Sequence, residues 1–257
     1  MRIMCIGDVV GTAGCEFLRS HLSSFKRQQK IDLVICNGEN SADGNGITVR
    51  SAEHIFTSGA DVITLGNHSF RRKEVFPFLD ENPFIIRPAN YPSARTPGKG
   101  FCTVDMGFAT VAVVNLMGQQ YMDANLDNPF SAAERILKEI DANIIIVDFH
   151  AEATSEKRAM GFFLDGRVSA VFGTHTHVMT ADAQVLDGGT GYITDVGMTG
   201  VYDSCIGVDK EIILRRFTTM LPERFDYAKG ECMMNCVIFD IDRKTGLCTA
   251  AQSFELR

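Results

Sequence analysis

Short apolar runs, rich in Ile and Val, recur along this chain, and each one stops at a cluster of polar residues. Residues 2–6 lead into Gly7-Asp8, 33–36 into Asn37-Gly38-Glu39-Asn40, and 62–65 into Gly66-Asn67-His68. Residues 144–149 lead into His150, and 168–172 into Gly173-Thr174-His175-Thr176-His177. Runs this short and this β-branched do not make buried helices, so they predict strands of a sheet covered on both faces. Between the early runs, Phe17, Leu18, Leu22 and Phe25 fall at helical spacing. Residues 49–58 and 73–79 are further helix candidates, the second interrupted by Pro77. Strand, helix, strand repetition implies right-handed crossovers and a parallel sheet.

The pattern changes further along. Residues 101–106 and 109–116 flank Gly107, and 234–241 and 247–254 flank a polar turn ending in Gly246, which predicts two hairpins. Parallel and antiparallel pairing together predict an α/β protein of two packed sheets with helices outside. No internal repeat and no linker rich in Pro, Gly or Ser divides residues 1–257, so a single domain is expected.

Composition narrows the function. Of 257 residues, 45% are hydrophobic and 22% charged, which excludes a disordered or collagen-like chain. No run reaches the roughly 18–20 apolar residues of a membrane span. The N-terminal stretch lacks the apolar core and cleavage site of a signal peptide, so a cytoplasmic protein is expected. Lys plus Arg number 25 against 32 Asp plus Glu, a net charge of −7. Such a chain repels a phosphate backbone, so no tight non-specific nucleic-acid binding is expected. An anionic substrate would need local positive charge, and metal ions could supply it. The 8 Cys are scattered and read as reduced, buried thiols; Cys232 and Cys236 lack the second close pair of a zinc site.

Asp8, Glu39, Asn67, His150 and His175 each lie at the carboxyl end of a predicted strand, where ligand sites form in open α/β sheets. Carboxylate, amide and imidazole donors suit Mn, Fe or Zn. Only 6 His are present, and His68, His150, His175 and His177 are four of them. Singly, each position has a bland reading. Asp8 could cap a helix, Glu39-Asn40 could be a solvated turn, and Asn67-His68 a hydrogen-bonded one. Their joint occurrence, with two imidazoles at i, i+2 in His175-Thr176-His177, argues for one site.

These motifs, Gly7-Asp8, Gly38-Glu39-Asn40, Gly66-Asn67-His68, His150 and Gly173-Thr174-His175-Thr176-His177, resemble in order and spacing those of the calcineurin-like metallophosphoesterases. The resemblance implies a four-layer α/β/β/α sandwich of two mixed sheets with a two-metal site at the strand ends. Three positions depart from the usual pattern: Val10 replaces a His, Glu39 an Asp, and Ser69 an acidic residue. With residues 7–11, 38–40 and 151–157, these departures resemble the YmdB-type branch over nearly the whole chain. That branch implies hydrolysis of cyclic nucleotides, notably 2′,3′-cyclic ones, in cytoplasmic bacterial regulation, by homo-oligomers.

Carried onto this sequence, the resemblance implies one metal held by Asp8, Glu39, Asn40 and His177. Glu39, Asn67, His150 and His175 would hold the second, with Glu39 bridging and Asn40 standing in for the ligand lost at Val10. The ions would be divalent or mixed-valence, Fe or Mn, about 3.5–4 Å apart, polarising the phosphoryl group and holding a hydroxide for in-line attack. His68 resembles the family's proton donor to the leaving oxygen. A protein or monoester phosphatase of the same fold remains an alternative, as does a metal-containing regulatory protein with secondary catalysis. Three weaker features stay open. Residues 43–46 read as an active-site loop or a plain turn, Arg71-Arg72-Lys73 as substrate contacts or a solvated helix start. Glu152 and Glu156 read as supports for His150 or as solvated side chains.

Overall fold

Side chains alternate across a strand, so the first apolar run must bury two faces at once. It does: Met4 and Ile6 join one apolar layer, Ile3 and Cys5 another. The computed structural model describes residues 1–43, 45–92, 95–123 and 125–257. Its first half contains β1 (Arg2–Ile6), β2 (Asp8–Val9), α1 (Gly11–Gln28), β3 (Leu33–Asn37), α2 (Val49–Ser58) and β4 (Val62–Thr64). A 3-10 turn at Lys73–Val75 then runs into α3 (Phe76–Glu81) and β5 (Ile85–Ile86). Next come β6 (Phe101–Asp105), β7 (Thr110–Met117), α4 (Pro129–Leu137), β8 (Ile144–His150), α5 (Thr154–Leu164) and β9 (Ala170–Thr174). The chain continues through β10 (Gln184–Val185), β11 (Gly191–Ile193), β12 (Met198–Val201), α6 (Lys210–Thr219), β13 (Cys232–Ile241) and β14 (Cys248–Leu256).

Two mixed sheets result. One has the order β2-β12-β13-β1-β3-β4-β5, with β14 beside β13; β1, β3, β4 and β5 run parallel, and β13 is antiparallel to its neighbours. The other has the order β10-β11-β9-β8-β7-β6, parallel at its centre and antiparallel at both edges. Three apolar layers separate four layers of structure. Leu18, Leu22, Ala52 and Ile55 of α1 and α2 pack on the outer face of the first sheet. Leu33, Ile35, Val237 and Phe239 meet Val113, Ile146 and Phe172 between the sheets. Ala132, Ile136, Met160 and Leu164 of α4 and α5 cover the outer face of the second. Truncating a buried Leu such as Leu18 to Ala would cost about 2–5 kcal/mol. This is the expected four-layer α/β/β/α sandwich of two mixed sheets.

Local chemistry explains the boundaries. Thr48 and Ser51 form a reciprocal capping box on α2, and Gly59 ends that helix with φ 118°. Pro77 does not interrupt a helix as its position suggested. It lies in the first turn of α3, where its missing N–H has no partner to lose. Both hairpins form as expected. Cys232 and Cys236 share β13, roughly 13 Å apart along the strand, so they cannot chelate one ion together. No helix among the described residues is long and apolar enough to cross a membrane.

Candidate metal centre

The parallel strands deliver their carboxyl ends to one edge of the sandwich, and the turns that follow carry the predicted donors. Asp8 opens the short β2, pairing beside Met198, and His150 closes β8, so these two are held by strand pairing itself. Glu39-Asn40, Asn67-His68 and His175-Thr176-His177 follow β3, β4 and β9. His175 and His177 adopt φ of 103° and 63°, a region L-residues rarely enter. Such strain persists where the surroundings dictate it, and here Asp8 Oδ2 accepts the His175 N–H at 3.1 Å. Gly66 is obligatory. A Cβ there would lie 2.3 Å from His150 Nε2 and 2.5 Å from Glu39 Oε2.

All eight predicted residues converge in two groups around Glu39. On one side, His150 Nε2 lies 3.2 Å from Glu39 Oε1, 2.8 Å from Asn67 Oδ1 and 3.1 Å from His175 Nδ1. On the other, Asn40 Nδ2 lies 3.3 Å from Glu39 Oε1, 3.4 Å from Asp8 Oδ1 and 3.1 Å from His177 Nε2. His68 Nδ1 sits 2.8 Å from Asn40 Oδ1 and 3.4 Å from Glu39 Oε1. Donor atoms of Glu39, His150 and His175 fall within 4.8 Å of one another.

The donor set fits divalent cations. Asp8 and Glu39 are buried carboxylates, at 0% and 1% exposure, and neither has a Lys or Arg partner among the described residues. Each imidazole has an acceptor at its far nitrogen: Thr174 Oγ1 at 2.9 Å for His150, Glu152 at 3.1 Å for His175 and the Ile206 carbonyl at 2.9 Å for His177. That arrangement places the proton outside and the lone pair inside, as metal-binding imidazoles require.

Proton affinities in the metal-free cluster follow the same crowding. Burial pushes Asp8 and Glu39 up, but His177 beside Asp8 and His150 beside Glu39 outweigh it and hold both carboxyls below their usual range. Burial lowers His177, yet Asp8 drives it up to about 9. Burial and His150 take His175 down to about 3. Burial also lowers His68, against the pull of Glu39.

Other expectations are redistributed. Glu152 supports His175 rather than His150. Glu156 accepts the backbone N–H groups of Gln119 and Gln120 and takes no part in the cluster. Arg72 is spent on the carbonyls of Asp43 and Asn45, so it anchors that loop; Gly44 within it lies outside the described residues. Sequence reasoning missed Asp148, read as one more member of an apolar run. It is fully buried and pushed up to about 7 by burial, with His150 and the hydroxyls of Thr64 and Thr174 opposing. It also missed Lys157 and Asp195, a buried pair that binds the Thr174 carbonyl and the Thr176 N–H. A carboxylate inside an otherwise apolar strand was the available signal for Asp148.

A cavity of about 830 Å³ opens beside Asn40, His68 and His177. Its remaining walls come from Asp43, Asn45, Val201 and residues 10–13, 206–208 and 224–229, including Ile206, Arg224, Phe225 and Tyr227.

A family model described as "YmdB-like protein" matches residues 4–254. A Bacillus subtilis protein named 2′,3′-cyclic-nucleotide 2′-phosphodiesterase is 48% identical over 247 residues, 95% of this chain and 93% of that protein. The crystal structure of a Mycoplasma pneumoniae phosphatase superposes with a TM-score of 0.94 at 32% identity, covering 100% of this chain and 93% of that one. A calcineurin-like phosphoesterase of B. subtilis, YfkN, is 12% identical with a TM-score of 0.61, covering 100% and 90% of the two chains, a likeness of fold alone.

Proposed function

Because the chain belongs to the YmdB-like family, we propose that it is a two-metal phosphodiesterase acting on small 2′,3′-cyclic nucleotides. The carrying observation is the position of Glu39, whose carboxylate meets one donor group containing Asn67, His150 and His175 and another containing Asp8, Asn40 and His177. Bound there, divalent Mn or Fe would polarise the phosphoryl oxygens and lower the pKa of water. Asp8, Asn40 and His177 would hold one ion, Asn67, His150 and His175 the other, with Glu39 reaching both. Asn40 turns its Nδ2 to the cluster and its Oδ1 to His68, so ligation by oxygen requires a half-turn of the amide. His68 lines the cavity and would protonate the departing ribose oxygen. The name of the B. subtilis relative supports the substrate class. We also propose that the chain works as a homo-oligomer.

The test is a substrate panel at fixed Mn2+: 2′,3′-cyclic nucleotides, 3′,5′-cyclic nucleotides and phosphomonoesters. The 2′,3′-cyclic esters should turn over fastest, and Glu39→Gln should lose both ions and activity. Faster hydrolysis of monoesters would make the chain a monoester phosphatase. Normal rate with two ions in Glu39→Gln would overturn the shared role of Glu39.

A further inference from the structure

We propose that Asp148 is a positioning residue, holding the His150 ring for metal through the hydroxyl of Thr174 and the Glu39 turn through the amide of Asn37. The proposal rests on the two-metal reading above. Asp148 and His150 stand two residues apart on β8 and so share a face of the strand. Thr174 Oγ1 donates to Asp148 Oδ1 at 2.7 Å, while Thr64 Oγ1 and Asn37 Nδ2 donate to Oδ2. Those partners come from β9, β4 and β3, so one carboxylate ties both sheets together beneath the cluster.

The direction of the relay follows from counting protons. A threonine hydroxyl has one proton, and beside an ionised Asp148 that of Thr174 is committed to the carboxylate. Towards His150 Nδ1, 2.9 Å away, the hydroxyl can therefore only accept. His150 is then protonated at Nδ1, and its Nε2 lone pair faces Glu39, Asn67 and His175. Asn37 works the same way. Its Nδ2 is spent towards Asp148, so its Oδ1 accepts the Glu39 N–H at 3.1 Å and fixes the Gly38-Glu39 turn. A fully buried carboxylate served only by hydroxyl and amide donors is costly to keep. A purely structural tie could be made more cheaply by a neutral side chain. A carboxylate here makes the hydroxyl a better acceptor and the imidazole a better ligand.

Equilibrium dialysis against Mn2+ tests this with wild type, Thr174→Val, Thr174→Ser and Asp148→Asn, counting ions per chain and the affinity of each. Thr174→Val keeps the shape and loses the hydroxyl, so one of two sites should weaken about 10–100-fold while the other is unchanged. Thr174→Ser should restore wild-type affinity, and Asp148→Asn should weaken the same site and the other one too, because it also frees the Glu39 turn. Should Thr174→Val not fold, Thr174→Ala carries the same comparison. Equal weakening of both sites in Thr174→Val would show a general loosening of the sheet edge and overturn the relay. So would wild-type affinity in Thr174→Val, or a Thr174→Ser as weak as Thr174→Val. A wild type holding fewer than two ions would overturn the two-metal reading, and the relay with it.

Discussion

His68 follows Asn67 in sequence but faces elsewhere: Asn67 meets His150, whereas His68 meets Asn40 and the cavity. On the proposed mechanism, that divergence separates ligation from proton transfer. A ribose hydroxyl leaves poorly without a proton, whereas a nitrophenolate leaves readily. His68→Ala should therefore retain both ions and lose about 10²–10⁴-fold on a cyclic nucleotide, with a far smaller loss on a nitrophenyl diester. Its proton affinity adds a pH signature. Burial lowers it against the opposition of Glu39, so protonated His68 is a stronger acid but scarcer at neutral pH. Turnover of the cyclic nucleotide should then fall as pH rises through the neutral range, while the nitrophenyl ester should not follow it. Equal losses on both substrates in His68→Ala would assign the ring to phosphate positioning; loss of metal would make it a ligand.

At the scale of elements, the site depends on turns that no larger residue could make. A Cβ on Gly66 would occupy the space of the His150 ring and the Glu39 carboxylate. Gly66→Ala should therefore displace both donors, and Mn2+ titration should show at least one ion lost even if the thermal midpoint moves little. Retention of both ions would mean that the turn after β4 is not the rigid cradle drawn here. The same elements explain what the sequence could disclose. The central strands were legible because burial on both faces forces unbroken Ile and Val runs, and the donors were legible because they end those runs. The two-residue strands β2 and β5 were not, since such short segments exist only through their pairing partners. Helices α4 and α5 escaped because their buried faces use Ala132, Ala133 and Gly161, which carry little hydrophobic signal. The left-handed backbone at His175 and His177 is likewise imposed by tertiary contacts. Glu152 was visible, but only the folded β8 exit reveals that it serves His175.

Across the whole molecule, apolar surface and charge carry separate consequences. Helix α6 has no buried residue, and Leu214, Phe217, Met220 and Leu221 are exposed on and just beyond it. Two of its charges are internally paired, Lys210 with Asp203 and Arg215 with Glu223, and on the proposed homo-oligomer this exposed apolar face is where a second copy would sit. Phe217→Glu should then lower the mass measured by light scattering, and an unchanged mass would place any homo-oligomer contact elsewhere. Charge decides how substrate is held. The chain carries −7, and the cavity walls set Arg224 and Lys229 against Asp43 and Asp226, so the protein alone offers a phosphodiester no net attraction. Affinity for nucleotide phosphate should depend on the ions and disappear on chelation. Long RNA needs a basic surface along its backbone, which a chain of net charge −7 does not favour, so it should bind weakly. Few counterions would be released, and the plot of log affinity against log salt should be shallow. Calorimetry of a non-hydrolysable nucleotide and a salt series with single-stranded RNA, each with and without chelator, would measure both. Tight, steeply salt-dependent RNA binding by the chelated protein would reverse the argument and make nucleic-acid capture independent of the metal centre.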